Sequence, residues 1–145
     1  MKEVLDVYHR PYDPQHPVVC LDESPQQLIG ECRKPFTDSQ GVEHIAYEYQ
    51  REGTADLYMI VEPLGRRREV HVRAQHTAHD WAKEVAYIVE ELYPNASKIT
   101  LLQDNLSAHK KAALHECFTP ERARAIVAKL EFVFTPKHGS WLRLN

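Results

Sequence analysis

Short apolar runs bounded by prolines and turn residues alternate with stretches of helical periodicity along this 145-residue chain. Val18–Asp22 is the first run, set between Pro17 and Pro25, and it predicts a buried strand. Residues 1–17, with Pro11, Pro14 and Pro17, read as a lead-in segment, and residues 30–43 as a loop. From His44 to Arg51 the residues alternate, with Ile45, Tyr47 and Tyr49 on one side, which predicts a strand. Glu52-Gly53-Thr54 reads as a turn, Ala55–Val61 as a more buried strand, Pro63-Leu64-Gly65 as a second turn and Glu69–Arg73 as a third strand. This predicts an antiparallel meander.

The pattern then changes. Thr77-Ala78-His79-Asp80 fits a capping box, and Trp81, Val85, Ile88, Val89 and Leu92 follow at helical spacing until Pro94-Asn95. Lys98–Gln103 predicts a strand that ends at Asp104. A helix is expected from about Ala108 to Phe118, and another from Thr119-Pro120 with Ala123, Ile126, Val127 and Leu130 as its apolar stripe. Glu131–Thr135 is a last short strand, stopped by Pro136. The order β-β-β-β-α-β-α-α-β implies an α/β domain with a mixed sheet covered by helices.

Composition narrows the class only a little. Formal net charge is −3, so a surface basic all round is excluded, while a local patch for nucleic acid is not. The longest apolar runs are too short to cross a bilayer, and the charged start Met1-Lys2-Glu3 has no signal-peptide core. Cys20, Cys32 and Cys117 form no Cys-x-x-Cys spacing, which fits a reduced cytoplasmic protein. Residues 1–145 are read as one domain.

The chemistry sits in three blocks. Val18–Asp22 and Ile99–Asp104 each end an apolar strand in an aspartate, and Phe134 to Leu142 reads Phe-Thr-Pro-Lys-His-Gly-Ser-Trp-Leu. The element order matches a ribonuclease H-like fold. With Asp104-Asn105-Leu106-Ser107-Ala108-His109 and the Tyr47–Ala55 segment, the chain resembles an insertion-sequence transposase of the mariner-like superfamily, in its DDE superfamily endonuclease domain.

That resemblance implies a five-stranded mixed sheet and two-metal cleavage and joining of DNA, with Mg²⁺ or Mn²⁺ ions roughly 3.5–4 Å apart. Asp22 and Asp104 are its implied catalytic residues and metal ligands; carboxylates at strand ends are natural anchors for a hard cation that keeps several waters. Glu23 is set outside the metal list. Asn105 and His109 are expected to support the site. Lys137 and His138 are candidates for phosphate contact, and Arg66-Arg67-Arg68 at a hairpin tip is a weaker one. His71, His76 and His79 straddle a strand and a helix start, which argues against zinc. Trp141 is assigned to the core ahead of DNA stacking.

The family pattern continues after Trp-Leu with Asn, two apolar residues and a third acid. Arg143 stands where Asn is usual, and the acid would fall directly after Asn145. The family also carries a helix-turn-helix region before the catalytic domain. The expectation is therefore a fragment lacking both this region and the helix that follows the last strand, with impaired cleavage. Two alternatives stand beside it. One is a non-catalytic remnant that folds and binds DNA or an intact transposase. The other is a different ribonuclease H-like nuclease, disfavoured because Glu116, Glu121 and Glu131 fall in other elements. Expected partners are DNA ends and target, and a second copy or an intact transposase, at the nucleoid of a bacterial cytoplasm and with no membrane.

Overall fold

The computed structural model describes residues 2–31, 35–44, 49–104 and 110–136, with 31 and 49–52 described in backbone only. Its elements are α1 (Lys2–Tyr8), β1 (Val18–Glu31), β2 (Phe36–Thr37), β3 (Glu43–His44), β4 (Tyr49–Glu62), β5 (Arg67–Arg73), α2 (Ala78–Tyr87), β6 (Ile99–Asp104), α3 (Lys111–Cys117), α4 (Pro120–Ala128) and β7 (Leu130–Thr135). Five strands form one mixed sheet in the order β5-β4-β1-β6-β7, while β2 and β3 make a separate two-stranded hairpin. β1, β4 and β5 are antiparallel; β1, β6 and β7 are parallel. This is the mixed five-stranded α/β sheet with flanking helices expected of a ribonuclease H-like domain.

The sheet is covered unequally. Trp81, Val85, Ile88 and Val89 of α2 and its continuation pack with Leu114 of α3 and Ile126 of α4 onto Val19, Leu21, Tyr58, Ile60, Ile99 and Leu101. The other face holds a smaller cluster, in which Val4 and Val7 of α1 meet Val18, Cys20, Leu102 and Val133. Strand alternation divides the two sets, since even and odd positions of one strand face opposite ways. β6 is central, with Ile99 through Gln103 all buried, as a parallel strand covered on both faces requires.

Local chemistry sets the helix ends. Thr77 caps α2: its Oγ1 accepts the Asp80 N–H at 3.2 Å, and the Asp80 carboxylate accepts the Thr77 N–H at 3.1 Å. The last turn, Ile88–Leu92, widens to a π-helix that closes with Tyr93 N–H to Ile88 O at 3.0 Å. Thr119 caps α4, and Pro120 occupies its first turn.

Four expectations need correction, the first being the loop over residues 30–43, which hold the end of β1, β2 and the start of β3. The lead-in contains α1, which Val4 and Val7 anchor at i, i+3. β1 does not stop before Pro25 but runs to Glu31. Beyond Asp22 it has lost β6 as a neighbour, because β6 ends at Asp104, so one side of the ribbon is open and a proline is tolerated. Glu52-Gly53-Thr54 is not a turn either; it lies within β4. Leu28 pairs with Gly53 and Ile29 with Arg51, so Glu52 is the extra residue of a β-bulge, and Gly53 takes φ +110° there.

The fully buried Trp81 donates its Nε1–H to Gln103 Oε1 at 2.8 Å, tying α2 to the end of β6. Trp81→Phe removes that donor and leaves a small void. Denaturant unfolding is expected to show a loss of about 1–3 kcal/mol; a change below about 0.5 kcal/mol would show that the bond contributes little.

Candidate functional site

The parallel register of β1 on β6 is Val18↔Thr100, Val19↔Leu101 and Cys20↔Leu102. Carried two residues past its last pair, the same register would set Asp22 level with Asp104. Both side chains follow the alternation of Cys20 and Leu102, so they share the face that carries α1. Both are half-buried. The acids thus lie where β1 leaves β6: Asp104 ends β6, and Asp22 stands two residues past the last β1–β6 pair, within a β1 that continues to Glu31. In an α/β sheet the C-terminal ends of the strands are the edge where ligands bind.

Each carboxylate has a local anchor. Asp22 Oδ1 accepts the N–H of Glu23 at 2.9 Å. Asp104 Oδ1 accepts the hydroxyl of Thr135 at 2.8 Å, a contact set by the Asp104↔Thr135 pairing of β6 with β7. Thr135 is buried and was not singled out in the sequence. Its role depends on a pairing between positions 31 residues apart, and nothing local signals it.

Behind the acids, on the α2 face, lies a second polar cluster that the sequence reading also missed. Glu84 is fully buried and held by His71 Nδ1 at 2.6 Å and Arg73 Nε at 2.7 Å. Arg73 also lies 3.6 Å from Asp80. A carboxylate is tolerated inside only with such partners. Tyr58 pairs with Glu23 across β1 and β4, and its hydroxyl is buried with no hydrogen-bond partner among the described residues. Burial, then the charges of Glu23, Asp80 and Asp56, push its ionisation well above the ordinary tyrosine range, so it stays a phenol. His76 Nδ1 makes an ion-pair contact with the buried Asp56 at 3.0 Å, and the Asp56 carboxylate raises the histidine above its usual 6.5.

The remaining candidates are dispersed or lie outside the described residues. Asn105, His109, Lys137, His138 and Trp141 fall outside them. Arg66 is in the β4–β5 turn at φ 61°, and Arg67 and Arg68 begin β5. Arg68 pairs with Val61, which pairs with Cys20, whereas Asp22 lines up with Met59 and Val70. Asp22 is thus level with Val70, midway along β5, and Arg68 lies two residues and two strands from it, with Arg67 over the Tyr93 ring at 5.3 Å. His71, His76 and His79 do not converge; they meet Glu84, Asp56 and Glu116 in turn. Glu131 sits near the start of β7, bonded to Arg10 and Thr100, four positions before Thr135. Among the described residues no three of His, Cys, Asp and Glu form a metal-binding group.

The mixed five-stranded sheet with flanking helices is that of a ribonuclease H-like domain. A model of the DDE superfamily endonuclease family matches residues 17–144, and the chain belongs to that family. No curated protein and no solved structure matches it. Membership implies a DNA substrate and chemistry that uses divalent metal ions. Two half-buried carboxylates on one face fit such a hard cation, which binds through one or two carboxylates and retains waters. No helix among the described residues is long and apolar enough to cross a membrane.

The His76–Asp56 contact generates a pH dependence. A raised histidine contributes stability that is fully present below 6.5, its unfolded value, and lost as pH rises through the higher folded value. The Tm advantage of the parent over His76→Gln is expected to be largest near pH 6 and to vanish by about pH 9. An equal difference at both would contradict the contact.

Proposed function

We propose that this chain is the catalytic part of a mariner-like, insertion-sequence transposase that cleaves DNA strands and joins them to a target. What supports the reading is the register of β1 on β6, whose continuation would put Asp22 and Asp104 on one face, in a chain of the DDE superfamily endonuclease family.

In this reading Asp22 and Asp104 hold the divalent cations, Mg²⁺ or Mn²⁺. When bound, such ions supply an activated water or hydroxyl nucleophile and neutralise charge on the scissile phosphate and leaving oxygen. The protein's part is placement. β1 and the end of β6 carry the carboxylates, and the Thr135 hydroxyl sets the rotation of the Asp104 carboxylate. Trp81, through Gln103, holds the last residues of β6 against α2. Lys137 and His138, which follow β7 in sequence, are assigned to phosphate contact, and Asn105 and His109 to support of Asp104. Arg66–Arg68, at the β4–β5 turn two strands from Asp22, are a weaker candidate for contact with DNA phosphate. Since no third acid joins Asp22 and Asp104 among the described residues, cleavage by these 145 residues is expected to be slow. A second copy or an intact transposase is the expected partner, at the bacterial nucleoid.

Mn²⁺ titration followed by electron paramagnetic resonance tests the site. Asp22→Ala and Asp104→Ala are each expected to weaken binding at least about tenfold, and Thr135→Val by about tenfold, with Thr135→Ser near the parent. Mn²⁺-dependent nicking of plasmid DNA is expected to disappear in Asp104→Ala. Variants that titrate and nick like the parent would contradict the assignment.

A further inference from the structure

β7 is an edge strand, and the groove beside it is not used by the acid pair. This groove, about 690 Å³, is bounded by Phe132 and Phe134 of β7, Lys110 and Lys111 at the start of α3, and Lys98 before β6. The two phenylalanines alternate onto the α2–α3 face and stack, with centroids 6.3 Å apart and planes 8° from parallel. Phe132 is partly buried and packed near Trp81, while Phe134 is 38% exposed. Lys111 Nζ stands 5.5 Å from the Phe132 ring centroid, and Lys98 Nζ donates to Ala128 O at 3.2 Å. The acid on this rim, Glu131, is already engaged by Arg10 and Thr100, so the groove presents lysine charge around an aromatic floor.

We propose that this groove seats an unpaired single strand of DNA, with a base stacked on Phe134 and its phosphates against Lys110 and Lys111. Aromatic rings beside a cationic rim are the combination that binds single strands without sequence preference. A duplex keeps its base faces covered by their neighbours and cannot use the rings. The location supports the assignment. Phe134 pairs with Gln103, one residue before the Asp104↔Thr135 pair, so the groove and the acids share one end of the sheet, the groove on the α2–α3 face and the acids on the other. The proposal rests on the DNA-cleaving reading and adds the form of the substrate: a strand frayed from the duplex at the end of the sheet that carries the acids.

The test is fluorescence anisotropy with the full chain and a labelled thymidine oligomer, against a duplex of equal length, in EDTA so that no metal takes part. Phe134→Ala is expected to weaken single-strand binding roughly 5- to 100-fold while leaving duplex binding unchanged, and Phe134→Tyr to keep it. The double variant Lys110→Ala/Lys111→Ala is expected to reduce the slope of log affinity against log salt by about 1.4. Thermal melts identify any variant that fails to fold, in which case Phe134→Leu replaces the alanine change. Absence of single-strand binding, a Phe134→Ala affinity within twofold of the parent, or an equal loss for duplex would overturn the proposal. Because the assay excludes metal, this pattern can hold even if the Mn²⁺ titration fails, and the reverse, so the two readings fail separately.

Discussion

The parallel pairing of β1 with β6 is the constraint on which the rest of this structure depends. Three residue pairs, Val18↔Thr100 through Cys20↔Leu102, join an antiparallel ribbon to a parallel α/β half. A shift of one residue would send Asp22 and Asp104 to opposite faces, because side-chain direction alternates at every step. The register is held by burial on both sides. Val19, Leu21 and Leu101 must meet the α2 layer, and Val18, Cys20 and Leu102 must meet α1. Placing two like charges side by side is unfavourable, and that apolar specification on both faces enforces it.

The surroundings of the acid pair are built to hold it still. Thr135 reaches Asp104 from the next strand, and Trp81 reaches Gln103 from the covering helix, so the end of β6 is fixed from two directions. Behind it, Glu84 locks His71 and Arg73 of β5 to α2, and Asp56 draws His76 towards β4. Trp81, Glu84 and Gln103 are fully buried under α2, so these hydrogen bonds and ion pairs satisfy polar groups within the packed layer.

Much of this was legible in the sequence, for identifiable reasons. Val18–Leu21 and Ile99–Leu102 are apolar runs too short for helices, and each is followed within two residues by an aspartate, so the buried part of each strand and its acid could be read together, although only β6 ends at its acid. The Thr77/Asp80 box and Thr119-Pro120 are local signals, and both helices start where those residues place them. Pro25 and Gly53 misled because they act as breakers in isolation, whereas here an open ribbon side and a bulge accommodate them. Helix α1 was hidden by the prolines after it, although Val4 and Val7 carry its spacing. The Thr135–Asp104 bond, the buried cluster around Glu84 and the lysine–phenylalanine groove depend on pairings between distant segments, and no window of the sequence displays them.

The alignment of Asp22 with Asp104 is tested most directly by a disulfide. In a chain with Cys20, Cys32 and Cys117 replaced by alanine, Asp22→Cys and Asp104→Cys should lie within the roughly 4.4–6.8 Å Cα separation that a disulfide tolerates. Mild oxidation of the folded protein, read by thiol counting and mass spectrometry, is expected to close that bond within one molecule, while pairing Asp104→Cys with Glu23→Cys, which faces the other side, is expected to leave the thiols free. Free thiols at 22 and 104 in the folded chain, or equal closure by the 23/104 pair, would contradict the register and with it the shared site.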